Sequence, residues 1–393
     1  MNTTLEFDVI VIGASIAGCH LATLLSDQGL SIALVERRES PASYKRMCSH
    51  LLHPGAVECL RSMGLLEKLL QAGGQLTRLD IAIAAGPRLQ YPPRKRYSMA
   101  NIERRLIDPL IRERAINSPG VSYFQGFTLN ELLRNEHGDI AGVRIKNKQQ
   151  QVLGLSAPLT VGADGKQSSL ARLANIRSIT HYNGRVALFA YYNSQDTRLE
   201  NQLENRPPAK PNASKIWVLD KGQTYIAAFP NGAKTLVSCY LTEDKIGGKG
   251  TINPKQSYEQ QFLHTAEQHV KQHMSLGTRL TAPIVAKHTD TVYRPYTIQG
   301  MALIGDAYLS ADPLTGIGCS WAFSSAELLA KCVAKPLKNR TANPKTLHQA
   351  LRCYRYQHRV RYQLPAYLMA HGSTQGRLFT HPALTHPAAL LMR

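Results

Sequence analysis

Three stretches concentrate the residues able to do chemistry. The first is Gly13-Ala-Ser15-Ile16-Ala17-Gly18, followed about twenty residues on by Glu36 and Arg37. Small residues let a backbone turn approach a pyrophosphate, and an acid at that distance accepts hydrogen bonds from a ribose. Ser15 stands where the pattern has its second glycine; it is the smallest substitute that still hydrogen-bonds a phosphate. The second stretch is Asp164-Gly165 with Ser168 behind it. The third is Gly305-Asp306, then Pro313-Leu-Thr-Gly316-Ile-Gly318-Cys319-Ser320. An acid at a strand end suits polyol hydroxyls, and a helix opening at Gly316 and Gly318 turns its positive dipole end toward a ligand. Arg46, ten residues after Glu36, suits a phosphate or pyrophosphate contact.

The flanking elements must deliver these groups. Phe7 to Ile12 is a short β-branched run, read as a strand buried on both faces. An apolar-periodic helix follows to Gln28-Gly29, then a second buried run from Ser31 to Val35. Together they form a βαβ unit. Helices are expected from Pro54 or Gly55 to Met63, over 65–72, and from Glu103 to Asn117, where Pro119-Gly120 stops the last. Short strands are expected at 79–84, 121–124, 129–134, 142–146, 160–161 and 301–304. The runs 185–192, 215–219, 224–229 and 234–241 read as an antiparallel sheet. Segment 196–214 reads as a polar excursion, 255–275 as a polar helix and 316–334 as a long apolar one.

Length and composition bound the answer. The 393 residues suffice for two domains or one with a large insertion, and 43% apolar content describes an ordinary globular chain. Seven scattered cysteines with no CxxC pair point to a reduced, cytoplasmic setting without disulfides or zinc. The opening MNTTLEF carries no basic residue, unlike a signal peptide. The net charge is +20, and eleven Lys/Arg with no acid fall after Glu327. Arg88, Arg94, Lys95, Arg96, Arg104 and Arg105 form a second basic cluster. Such a field favours a phosphorylated cofactor, an acidic substrate or an anionic membrane surface. No nucleic-acid-binding motif accompanies it, so nucleic acid is not expected as a partner.

The three stretches, in this order and spacing, resemble the flavin-dependent monooxygenases built like p-hydroxybenzoate hydroxylase. Asp164-Gly165 is similar to that family's internal DG motif, and Gly305-Asp306 with Pro313 to Gly318 to its GD motif. Arg104 matches the helix-start residue that reaches the FAD in the family. The resemblance spans about residues 6–335. It implies an α/β fold: a Rossmann-like FAD-binding domain from 1–75, 101–178 and 287–335, an inserted β-rich substrate domain from 76–100 and 179–286, and a basic helical region at 336–393. It implies FAD as cofactor and NADPH or NADH as transient reductant. With O2 it implies hydroxylation or epoxidation of an aromatic or polyunsaturated small molecule through a flavin C4a-hydroperoxide.

Departures from the pattern keep alternatives open. Ala171 stands where the DG motif usually has arginine, with Arg172 next to it. The loop from Cys48 to Pro54 resembles that of geranylgeranyl reductases, so a prenyl double-bond reductase is one alternative. A flavin halogenase is another, although Trp217 lacks the second tryptophan of that branch. A non-catalytic flavoprotein is a third. No second glycine-rich βαβ unit awaits NAD(P)H; Gly247 to Gly250 reads as a loop. His264, His269 and His273 read as a wet helix face rather than a metal site. Tyr191, Tyr192, Trp217, Tyr225 and Phe229 are either pocket walls or sheet packing. The basic-aromatic 354–362 helix and the tail after 378 either touch a membrane, cap the pocket or pack on the cofactor domain. No acid or base is assigned, and the oligomeric state is open.

Overall fold

The computed structural model describes residues 4–84, 88–91, 99–194, 213–246, 254–339 and 345–374. Expectations for Arg94, Lys95, Arg96, most of the 196–214 excursion, the Gly247 to Gly250 loop and the tail after 378 lie outside them.

A five-stranded parallel sheet lies at the centre of the larger core. Its order is Met301–Leu303, Leu159–Gly162, Val9–Ile12, Ile32–Glu36 and Val121–Gln125. Val9–Ile12 and Ile32–Glu36 are buried along their whole length, the apolar runs Val9–Ile12 and Ile32–Val35 by composition and Glu36 because its carboxylate is hydrogen-bonded. The first strand starts two residues later than expected. Asp8 leaves the ladder because its carboxylate accepts bonds from the Ser31 amide and hydroxyl, at 2.8 and 2.9 Å. Helices Ile16–Ser26, Arg104–Ile116 and Gly318–Lys338 pack beside this sheet in one continuous core.

A second, four-stranded sheet orders Thr4–Glu6, Val152–Ser156, Ile140–Lys146 and Thr128–Arg134. The sequence reading missed Val152–Ser156, where Gly154 interrupts the β-branched pattern. That glycine lies against Thr4, and a Cβ there would come within 2.9 Å of the threonine hydroxyl.

The expected antiparallel sheet is larger and mixed. Seven strands run in the order Ile284–Ala286, Arg185–Asn193, Lys234–Thr242, Thr224–Asn231, Ser214–Leu219, Leu79–Ile83 and Arg88–Tyr91. Ser214–Leu219 pairs in parallel with Leu79–Ile83, a partner more than 130 residues away. Alternation assigns its two faces. Phe189, Tyr225, Phe229 and Tyr240 join the main core, while Tyr192, Trp217 and Ile226 form a separate core with Phe262, Ala266 and Val270. Those last three lie on the helical segment from Pro254 to His273, which has one π-turn at Leu263–Glu267. On it His264 and His273 are exposed, but His269 packs edge-on against Trp217 at 5.2 Å. The face is only partly wet.

The C-terminal region is helical from Lys345 to Thr374, with a π-turn at Arg359–Gln363. Among the described residues no helix is long and apolar enough to cross a membrane.

Candidate cofactor cleft

A cleft of about 620 Å³ opens at the ends of the central parallel strands. Its wall begins with the glycine turn. Gly13 has φ +108°, and a Cβ on it would lie 2.5 Å from the Ala163 carbonyl oxygen. A Cβ on Gly18 would lie 1.9 Å from the Gly13 oxygen, so the turn closes only with glycine at both positions. Glu36 is buried beneath it. Its Oε2 accepts from the Ala14 amide at 3.0 Å and its Oε1 from the Arg38 amide at 2.9 Å. Each oxygen keeps a further lone pair for a ligand hydroxyl.

The helix Arg104–Ile116 braces this turn from one face. Arg104, Asp108 and Arg112 follow one another at four-residue spacing and are all buried. Arg104 donates through Nη2 to Ser15 Oγ at 2.8 Å and through Nε to Asp108 Oδ1 at 2.7 Å. Burial, the largest single influence, would lower the guanidinium pKa; the Asp108 carboxylate together with Cys319 and Cys48 outweighs it and holds the pKa above its ordinary value. Arg112 donates to three carbonyls, Ala14 at 3.1 Å, Pro41 at 2.5 Å and Ser43 at 2.9 Å, and so ties the glycine turn to the loop after Glu36. Asp108 also accepts from the Lys45 amide at 2.9 Å.

Two acids extend the cleft. Asp164 follows the Leu159–Gly162 strand, and its Oδ2 accepts from the Ser169 amide and hydroxyl at 2.6 and 2.7 Å. Its Oδ1 is buried without a partner. Asp306 sits in the turn after Met301–Leu303, its Oδ2 2.8 Å from Lys45 Nζ. That carboxylate is the chief cause of a Lys45 pKa above the ordinary lysine range. Asp312 then caps the Pro313–Thr315 turn through Leu314 N at 3.0 Å, Gly316 takes φ +64°, and the helix Gly318–Lys338 starts. Asp312 is itself in a buried ion pair with Arg185 from the seven-stranded sheet. Ser373 closes this contact, its carbonyl accepting from Arg185 at 2.9 Å and its hydroxyl from Arg185 at 3.0 Å.

The cleft lining includes Gly13, Ser15, Ile16, Ala17, Glu36, Arg37, Arg104, Asp164, Asp306, Pro313, Gly316, Gly318 and Cys319. Gly18, Gly305 and Ser320 stand behind it, and Arg46 is exposed and outside it. The loop instead turns Lys45 inward. Sequence reasoning passed over Lys45, Asp108, Arg112 and Asp312; the four-residue spacing from Arg104 was the visible sign of two of them. Cys48 also lines the cleft. Hydrogen bonding from Cys319 and His50 outweighs burial and holds its thiol below the usual range.

His50 joins the two halves of the molecule. Its backbone is left-handed, φ +63°. Its Nδ1 accepts from the Arg104 amide at 3.3 Å, and its Nε2 lies 2.5 Å from Tyr191 Oη on the seven-stranded sheet.

Several features fit FAD. The glycine turn has no room for a Cβ, Asp164 Oδ1 is an unpaired buried acceptor, and six cations against three carboxylates (Glu36, Asp164, Asp306) line the cleft. A pyrophosphate at the first helix and a polyol between two acids satisfy all three.

The chain is 26% identical to squalene monooxygenase SE1 of Panax ginseng over 360 residues, 84% of this chain and 59% of that one. It is 25% identical to squalene epoxidase erg1 of Schizosaccharomyces pombe over 84% of this chain and 70% of that one. It thus spans little more than half the length of the ginseng enzyme. In fold it is similar to the flavin-dependent brominase Bmp2, with a TM-score of 0.78 at 17% identity, covering 98% of this chain and 92% of that one. With its cleft built as described, and with a family model described as an FAD binding domain matching residues 6–353, the chain belongs to the FAD binding domain family.

Proposed function

We propose that the protein is an NAD(P)H- and O2-dependent monooxygenase that epoxidises or hydroxylates a polyunsaturated or aromatic small molecule. The observation that carries this reading is the likeness to two squalene-oxidising enzymes across 84% of the chain, with all three acids on one cleft. FAD, when bound, supplies the redox chemistry: it takes a hydride from the nicotinamide and activates O2 for transfer of one oxygen atom. The other oxygen leaves as water, with NAD(P)+ as the oxidised co-product.

The protein's part is to hold and shield. Glu36 accepts ribose hydroxyls; Ser15, Arg104 and the helix start at Ile16 face the pyrophosphate; Asp164 and Asp306 accept polyol hydroxyls. The start of Gly318–Lys338 offers amides to the electron-rich edge of the ring. The residues 76–100 and 179–286 act as the substrate domain, and the sheet face bearing Phe189, Tyr225, Phe229 and Tyr240 excludes water from an apolar substrate. A peripheral contact with an anionic bilayer is part of this proposal. Tyr356, Val360, Leu364 and Tyr367 are exposed at helical spacing among exposed Arg352, Arg359 and Arg361.

The test is to incubate FAD-loaded protein with NADPH or NADH and polyene or aromatic candidates, following O2 uptake and product mass. Product heavier by one oxygen, formed only in air, supports the reading. Saturated product formed without O2 means a reductase, halide-dependent product a halogenase, and no turnover across the candidates a non-catalytic flavoprotein. Cosedimentation with anionic but not neutral vesicles checks the bilayer contact.

A further inference from the structure

His20, Cys59 and Glu327 come from helices Ile16–Ser26, Pro54–Ser62 and Gly318–Lys338. None of them lines the cofactor cleft. Their ligand atoms nevertheless converge, all within 4.8 Å of one another. His20 Nε2 is 3.4 Å from Glu327 Oε1, and Cys59 Sγ is 3.0 Å from the same oxygen. The imidazole is 3% exposed, is met edge-on by Phe323 at 5.2 Å, and has no partner at Nδ1. A buried histidine whose single polar contact is long is poorly served by hydrogen bonding alone.

Tetrahedral coordination is compatible with the spacing and gives the histidine a stronger partner. Metal–ligand bonds of about 2.0–2.3 Å place neighbouring ligand atoms roughly 3.3–3.6 Å apart. The histidine–glutamate separation falls in that range, the cysteine–glutamate pair is about half an ångström inside it, and the cysteine and histidine ligand atoms lie within 4.8 Å of each other. The Glu327 side chain is 48% exposed, which leaves a solvent side for a water ligand.

We infer that His20, Cys59 and Glu327 form a binding site for a borderline-soft divalent transition cation, Zn2+ foremost. Imidazole, thiolate and carboxylate are the donors such ions select, and a hard cation such as Mg2+ would not choose a thiol. Binding releases the Cys59 proton to solvent and forms a metal–sulfur bond, with no change of oxidation state. His20 lies about one helical turn and Glu327 about two and a half turns beyond the helix starts that border the cleft. The ion therefore clamps together the two helices whose first turns face the cofactor, with Pro54–Ser62 as the third leg.

The test uses full-length, FAD-loaded protein treated with a chelator and then dialysed against Zn2+. Elemental analysis should find about one tightly held zinc per chain, and the melting temperature should rise with zinc. Cys59→Ser and Glu327→Gln should each cut retained zinc at least tenfold with flavin content unchanged, whereas Cys353→Ser, at an exposed thiol elsewhere, should retain it. Co2+ in place of zinc should give a thiolate-bound spectrum that Cys59→Ser abolishes. No zinc above background in the parent protein, or equal retention in Glu327→Gln, overturns the proposal. Because Glu327 is half exposed, its variant decides the matter even if Cys59→Ser fails to fold.

Discussion

Arg104 Nη2 donates to Ser15 Oγ at 2.8 Å, so the serine in the middle of the Gly13–Gly18 turn is held by the helix behind it. The same guanidinium is paired with fully buried Asp108. Arg104→Met should therefore cost about 3–5 kcal/mol of stability by leaving that carboxylate unpaired. Arg104→Met with Asp108→Leu should recover most of the stability but not the flavin affinity. Urea unfolding and flavin titration on the same samples separate the two effects.

Asp306→Ala removes the acceptor proposed for polyol hydroxyls and the partner of Lys45. Hydrogen bonds to a charged group are worth about 1.5–3 kcal/mol, so FAD should bind about ten- to a hundredfold more weakly. The protein should purify pale. Full yellow occupancy in the variant would remove Asp306 from the site.

His358 gives a pH dependence whose sign is fixed. It is buried against Tyr308, with ring centroids 3.8 Å apart, and burial lowers its pKa to about 3. The unfolded chain takes up this proton near pH 6.5, about the free-histidine value, and the folded chain does not. Stability from this residue is complete above about pH 6.5 and falls by up to about 1.4 kcal/mol per unit as pH drops toward 3. His358→Phe keeps the stacking and should flatten that slope. Urea midpoints at neutral and mildly acidic pH read it directly.

Ser373 is buried on the Arg185–Asp312 pair, and Asp312 immediately precedes the Pro313–Thr315 turn that borders the cleft. Ending the chain after Thr374 should leave flavin content and melting temperature near those of the full chain. Ending it after Ala370 should lower both. Equal behaviour of the two truncations would detach the last helix from the cofactor loop.

The glycine turn, its acid and the two later strand-end acids were legible because their constraints are local. A Cβ at Gly13 or Gly18 collides within the βαβ unit or with the adjacent strand end, and that leaves a mark in the sequence. Lys45 and Arg46 are adjacent in a loop without periodicity, and Asp108 fixes which of them turns inward by binding the Lys45 amide. The parallel pairing of Ser214–Leu219 with Leu79–Ile83 and the Arg185–Asp312 contact join distant segments, so neither leaves a local pattern. Tyr191 and Tyr192 were indistinguishable as neighbours until the register sent one to His50 and the other to Glu267.

The left-handed backbone at His50 has one more implication. Its ring is gripped at both nitrogens, by the first amide of the helix that carries Arg104 and by the Tyr191 phenol. Tyr191 and His50 are thereby joined to the backbone of Arg104, whose side chain reaches Ser15 on the glycine turn. The hydroxyl of Tyr191 on the seven-stranded sheet and the first amide of the Arg104–Ile116 helix therefore share one imidazole, so the position of that ring is set from both sides at once.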